Sequence, residues 1–297
     1  MSGASDTESS TTRHPAGDNR GHRRRHRRGD RAANLTGYFA TSQTWWASLV
    51  FLLPWVIIYE VGTWYYTFDP ATQTEQRIVA FSLFRNALAS LGATAYWVAP
   101  AAVVSVLLGL SWLHKEHSAE HKPDHKADRK SEHNAEPKTN VRRRVTIRTL
   151  AGMGIESLLW AGPLMLMGLA LARVPLGNQA GVTPSHEHLG EAIVLSIGAG
   201  IYEELVFRLM AMTALHFFLV DFLLIRSRWV TPVAIVMCAL LFSVYHYWGP
   251  EHFTTQTFVF RTLAGIYFGG LLVTRGFGIT AGTHALYDVC IVLLRAA

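Results

Sequence analysis

Apolar residues in this chain gather in blocks of roughly the length that carries a helix across a hydrocarbon core of about 30 Å, some 20 residues. Blocks of this kind occupy residues 45–66, 93–113, 150–172, 230–248, 257–274 and 277–294, with a longer apolar region at 190–225. Residues 77–91, "RIVAFSLFRNALASL", mix apolar and charged positions and predict an amphipathic helix lying on the membrane surface. Trp45, Trp46, Trp64, Tyr65 and Tyr66 flank the first block as interfacial aromatics, and Pro54 predicts a kink within it. The expected fold class is all-α, a polytopic bundle of about eight spans around a water-filled intramembrane cavity.

The number eight depends on the region 190–225. As one helix it would be about 54 Å long, well beyond the core, so two short crossings or one broken helix fit better, and two crossings give the eight. The polar segments set the orientation. Basic runs at 20–28, "RGHRRRHRR", and 141–148, "VRRRVTIR", place the N-terminal tail and the 114–148 loop in the cytoplasm, and residues 173–189 outside. Eight spans would leave both termini inside.

Composition supports this layout. Of 297 residues, 50% are hydrophobic and 16% charged, and the charges crowd into the first forty residues and the 114–148 loop. The sequence pI of about 9.5 permits nucleic-acid binding. The basic runs abut spans and lack interleaved aromatics, however, so contact with anionic lipid is expected and nucleic acid is not. Cys238 and Cys290 lie in apolar segments without metal-type spacing and read as small buried hydrophobes. No cleavable signal peptide is evident, and the first span reads as an uncleaved anchor. Residues 1–40 read as a disordered tail, 41–189 as N-terminal transmembrane helices and 190–297 as a core that carries the chemistry. His114, His117, His121 and His125 have spacings open to a metal, although the Lys-rich, Pro-broken loop around them reads as a solvated linker. The resulting expectation is a multi-pass protein of a bacterial-type plasma membrane with a cytoplasmic N-terminus.

Three clusters of ionisable residues sit inside apolar blocks, where charge costs about 2.5–3.5 kcal/mol per residue on insertion scales. They are "EELVFR" from Glu203 to Arg208, "FSVYH" from Phe242 to His246, and "HALYD" from His284 to Asp288. Each places partners four residues apart on one helix face. Glu204 and Arg208 are set to neutralise each other, while Glu203 points about 100° away and is left to find another partner. His246 is the natural one, since a Glu–His couple holding a water is a general base. With two crossings at 190–225, Glu203 lies about 20 Å and His246 about 24 Å from the outer side, whereas His284 lies at about 10 Å and fits less well. Interhelical glue remains the plainer role for any one cluster. Glu60 is expected at the interface, Glu156, His216 and Asp221 as bundle contacts, and Met153, Met165 and Met167 as packing residues.

The three motifs, in this order, resemble those of the CPBP (CAAX protease and bacteriocin-processing, or Abi) intramembrane glutamic endopeptidases: EExxxR, FxxxH and HxxxN or HxxxD. The resemblance covers roughly residues 190–295. It implies a membrane-embedded endopeptidase acting on a membrane-associated protein or peptide. It further implies Glu203 as general base with His246, His284 with Asp288 as the oxyanion site, and Glu204, Arg208 and Phe242 in support. Two positions depart from the commoner pattern: Leu209 stands where many members have Gly, and Asp288 where many have Asn. An ionised carboxylate cannot donate to an oxyanion, so Asp288 is expected to orient and charge His284, which donates alone.

No cofactor is implied. Glu203, His246, His284 and Asp288 could in principle hold zinc through two histidines and carboxylates, which leaves a zinc-dependent protease open. The same residues would also suit a non-catalytic immunity or scaffold protein on this fold, or a proton-coupled transporter using Glu203 and His246 as a relay. The transporter would show internal repeats, and none is seen.

Overall fold

The computed structural model describes residues 37–69, 74–75, 77–95, 97–120, 144–173, 189–225, 228–248 and 252–297. The basic stretch 20–28, His121, His125 and all of 174–188 lie outside the described residues.

Helix α1 (Trp45–Tyr66) begins where Thr44 Oγ1 accepts the Ala47 N–H at 3.1 Å, and Pro54 lies within it. A two-residue antiparallel ladder, Phe68–Asp69 with Thr74–Glu75, leads to α2 (Val79–Ser90). Then follow α3 (Val98–Glu120) and α4 (Ile147–Ala172), the latter capped by Thr146. Helix α5 spans Leu189–Phe222, and α6 (Val230–Tyr245) continues into a 3₁₀ turn, His246–Trp248. Helix α7 (Thr255–Arg275) is joined to α8 (Phe277–Ala296) by Gly276 alone. Gly276 has φ 82° and ψ 172°, a region open essentially only to glycine, and this permits so abrupt a joint.

The all-helical, multi-pass architecture is as the apolar blocks predicted, and the span count among the described residues is near but not exactly eight. Among the described residues six helices are long and apolar enough to cross a membrane (α1, α4, α5, α6, α7 and α8), and the apolar part of α3, Val98–Leu113, is shorter. The difference lies at 190–225, where Leu189–Phe222 forms one continuous helix. Backbone angles at Glu203, Ala211, Met212 and Phe217 are all right-handed helical, so the chain does not reverse. Two stretches, Glu204–Ala211 and Phe218–Phe222, adopt π geometry instead of breaking. Length alone does not force a reversal, because a helix of about 50 Å can tilt or overrun the bilayer.

The packing alternates in direction. A methyl on Gly190 would strike Tyr66 and one on Gly198 would strike Tyr59, so α5 runs antiparallel to α1. Gly278 and Gly282 face Ser48 and Phe51, which makes α8 parallel to α1, while Gly265 against Ala239 and Gly269 against Ile235 make α6 and α7 antiparallel. The start of α1 and the end of α8 therefore lie at opposite ends of the bundle. Eight alternating passes would instead bring these two helix ends to one side.

Two ion pairs brace the helices. Arg275, buried at the α7–α8 joint, binds both Glu156 oxygens, its Nη2 at 2.8 Å from Oε2, and the same nitrogen donates to Ser42 Oγ at 3.0 Å. Arg77 Nη1 meets Glu60 Oε2 at 2.9 Å, and Tyr202 donates to Glu60 Oε1 at 3.0 Å. Glu60 is thus bonded within the bundle and does not simply reach the interface. Helix α2 does not lie free on a surface either: Phe81 and Phe84 turn inward and their rings pack on Tyr202. Glu156 is a bundle contact, whereas His216 and Asp221 are exposed, because the far part of α5 extends beyond its neighbours' cover. Met153 is fully buried, and Met167 packs against Leu164 and Phe268.

Candidate active site

Each cluster of ionisable residues sits on a different helix: Glu203, Glu204 and Arg208 on α5, Phe242 on α6 with His246 in the turn that follows it, and His284 and Asp288 on α8. The fold brings them together. Helices α5 and α8 approach so closely that a methyl on Gly200 would overlap the backbone nitrogen of Ala285, next to His284. Helices α5 and α6 form a hairpin, in which Glu203 lies about 28 Å and His246 about 24 Å from the connecting turn. The two are level with only one crossing at 190–225, and a second crossing is unnecessary.

Glu204 is fully buried and anchors the site. Its Oε2 lies 3.2 Å from Arg208 Nε, four residues on. Its Oε1 accepts a hydrogen bond from His284 Nδ1 at 2.8 Å. The guanidinium of Arg208, buried as well, lies over the Phe242 ring at 4.1 Å and near the Phe268 ring at 5.3 Å, so ring faces supplement its single carboxylate partner.

Glu203 has its two oxygens in different surroundings. Oε1 accepts from the Tyr245 hydroxyl at 3.0 Å. Oε2 has no hydrogen-bond partner among the described residues and lies 3.9 Å from His246 Nε2 and 3.8 Å from His284 Nε2. His284, expected some 10 Å from this level, is in fact beside it. Counting from an assumed membrane face misplaced it; its true level is set by where the α7–α8 joint enters the bundle.

The tautomer of His246 follows from its partner. Its Nδ1 is 2.8 Å from the Phe242 carbonyl, which only accepts, so Nδ1 carries the proton and Nε2 of the neutral ring is an acceptor. Phe242 stands edge-on to both imidazoles, and Phe268 stacks on His284 with centroids 4.6 Å apart. Asp288 Oδ2 is 3.4 Å from His284 Nε2. Exposure rises outward from the centre: the side chains of Glu204, His284, Glu203, His246 and Asp288 are 0, 7, 8, 19 and 30% exposed, so the cluster opens past His246 and Asp288.

Residues 185–290 match the Rce1-like type II CAAX prenyl endopeptidases. The matched stretch is about a third of the chain and holds all three motifs, in agreement with the resemblance read from them. The family match and the six apolar helices together support an integral membrane protein. No curated protein and no solved structure matches the chain.

Several residues of the matched region carry no mark in the sequence pattern. Tyr245 adjoins His246 inside "FSVYH" and reads there as an apolar neighbour. Tyr202 adjoins Glu203 in the same way. Each is an aromatic with a hydroxyl beside a charged motif residue, and buried phenols of that kind usually find a partner. Phe268 has no motif to mark it. Among the described residues no group of three or more His, Cys, Asp or Glu side chains is arranged to hold a metal ion.

Proposed function

We propose that this protein is an intramembrane endopeptidase of the glutamic type, cutting a peptide bond of a membrane-associated protein or peptide with a water held by Glu203 and His246. One observation carries this: Glu203 Oε2 and His246 Nε2 are both acceptors and stand 3.9 Å apart. Two acceptors at a spacing too long for a direct hydrogen bond suit a water that donates to both. Its lone pairs then point away from them, toward a substrate carbonyl.

In the proposed cycle the water oxygen bonds to the scissile carbonyl carbon as one of its protons passes to Glu203 Oε2. The carbonyl π pair moves onto oxygen, giving a tetrahedral oxyanion. His284, as the imidazolium, donates to that oxygen from Nε2–H, its Nδ1–H being held by Glu204 and its ring oriented by Asp288. Collapse of the intermediate breaks the C–N bond, and the proton on Glu203 goes to the leaving nitrogen. Asp288, which only accepts when ionised, serves here through His284.

The basic flanks support a cytoplasmic location for the end of the bundle where α1 and α4 begin, with the 20–28 run near anionic lipid. The decisive experiment compares membrane proteomes of cells carrying wild type and Glu203→Gln. An uncut precursor accumulating in the variant, and cleaved by purified wild type in proteoliposomes, is the expected result. Identical proteomes together with unaltered in vitro cleavage by Glu203→Gln would remove Glu203 from the chemistry.

A further inference from the structure

The hydroxyl of Tyr245 stands between the base assigned above and a helix outside the matched family region. It donates to Glu203 Oε1 at 3.0 Å and accepts from the backbone N–H of Ala80, in the first turn of α2, also at 3.0 Å. Both contacts are buried. Because the Ala80 N–H can only donate, the phenol oxygen accepts there and its own hydrogen is directed to the carboxylate. Ala80 is itself fixed: α2 packs Phe81 and Phe84 on Tyr202, and Arg77, just before α2, is paired with Glu60. The ring of Tyr245 packs beside Phe207 and His246, with centroids 4.9 and 4.7 Å away.

We propose that Tyr245 is a positioning residue for the hydrolytic reaction: it occupies Glu203 Oε1, so that Oε2 alone is turned to the two histidines, and it ties that orientation to helix α2. The proposal rests on Glu203 acting as the base. A carboxylate rotates about its last bond with a broad, roughly two-fold preference, so packing alone does not select one oxygen. A directed hydrogen bond does. The His246 ring already has its Nδ1 fixed on Phe242, so fixing Glu203 as well leaves both acceptors that face the water fixed before substrate arrives.

Tyr245→Phe removes the hydroxyl and keeps the ring. In proteoliposomes it is expected to lower kcat by about 10- to 100-fold, the range for a lost hydrogen bond to a charged group, with KM unchanged and a modestly lower melting temperature, because the buried Ala80 N–H and Glu203 Oε1 lose their shared partner. Tyr245→Leu, which loses the ring too, is expected to be no better in kcat and to melt lower. A loss in Tyr245→Phe confined to KM overturns the proposal in favour of a packing role. Wild-type kcat in Tyr245→Phe beside an inactive Glu203→Gln also overturns it while leaving Glu203 as base. Cleavage unaffected by Glu203→Gln would instead overturn the catalytic role of Glu203 on which it rests. A readout independent of substrate is the infrared carboxyl band that disappears in Glu203→Gln. That band is expected to shift in Tyr245→Phe, and an unmoved band overturns the contact itself.

Discussion

His284 Nδ1 stands 2.8 Å from Glu204 Oε1, so the second glutamate of the pair holds a histidine on α8 as well as the arginine on its own helix. The fully buried carboxylate faces the Arg208 guanidinium and the His284 ring, and its loss would leave Arg208 with ring faces alone. Glu204→Gln is therefore expected to destabilise the protein by about 3–5 kcal/mol, the cost of stranding a buried charge. Thermal unfolding in detergent checks this, and Glu204→Gln with Arg208→Met is expected to melt higher than Glu204→Gln alone.

His246 is expected to behave in the opposite way. Its ring is held through one bond to the Phe242 carbonyl and lies at the open side of the cluster. His246→Ala should cost about 10²- to 10⁴-fold in kcat, the range for a general base, with a melting temperature close to wild type. Single-turnover cleavage measured beside unfolding separates the two effects.

Asp288 approaches His284 Nε2 at 3.4 Å and is the most exposed of the five. If it works through His284, an amide oxygen can accept in its place. Asp288→Asn is expected to stay within about tenfold of wild-type activity, and Asp288→Leu to lose about 10- to 100-fold, the share of one charged hydrogen bond. Steady-state kinetics of the two variants test the difference.

Activation of water by two acceptors calls for no metal. Cleavage by purified protein is expected to be unchanged after exhaustive chelation, and added zinc is expected not to raise it. Restoration of a chelator-sensitive activity by zinc would instead favour the Glu203, His246, His284 and Asp288 ligand set.

The approach of α5 to α8 at Gly200 and Ala285 sets the distance between the glutamates and His284. Gly200→Ala forces backbone apart, at an expected cost of about 1–3 kcal/mol together with a loss of activity. Gly162 on α4 has open space where a methyl would go, so Gly162→Ala is the control and is expected to leave activity unchanged. Melting curves and initial rates of the pair make the comparison.

Much of this was legible before any coordinates. Apolar block length determined that the chain is a helical membrane protein, because backbone groups in lipid must be satisfied within each segment. The cost of charge in hydrocarbon marked Glu203, Glu204, Arg208, His246, His284 and Asp288, and spacing of four residues paired Glu204 with Arg208. Those are local properties, carried by neighbours along one helix. That α5 runs on unbroken was not legible, since its π stretches leave no signal in a pattern read at 3.6 residues per turn. Nor were the bond from Glu204 to His284 and the bridge from Ala80 through Tyr245 to Glu203. They join residues 80 and 165 positions apart, and such contacts depend on how far each helix slides along its neighbours. Sliding is decided where glycines let α5 close on α1 and α8 and where Gly276 turns the chain, so only the packed bundle could show which carboxylate oxygen is left free to meet a water.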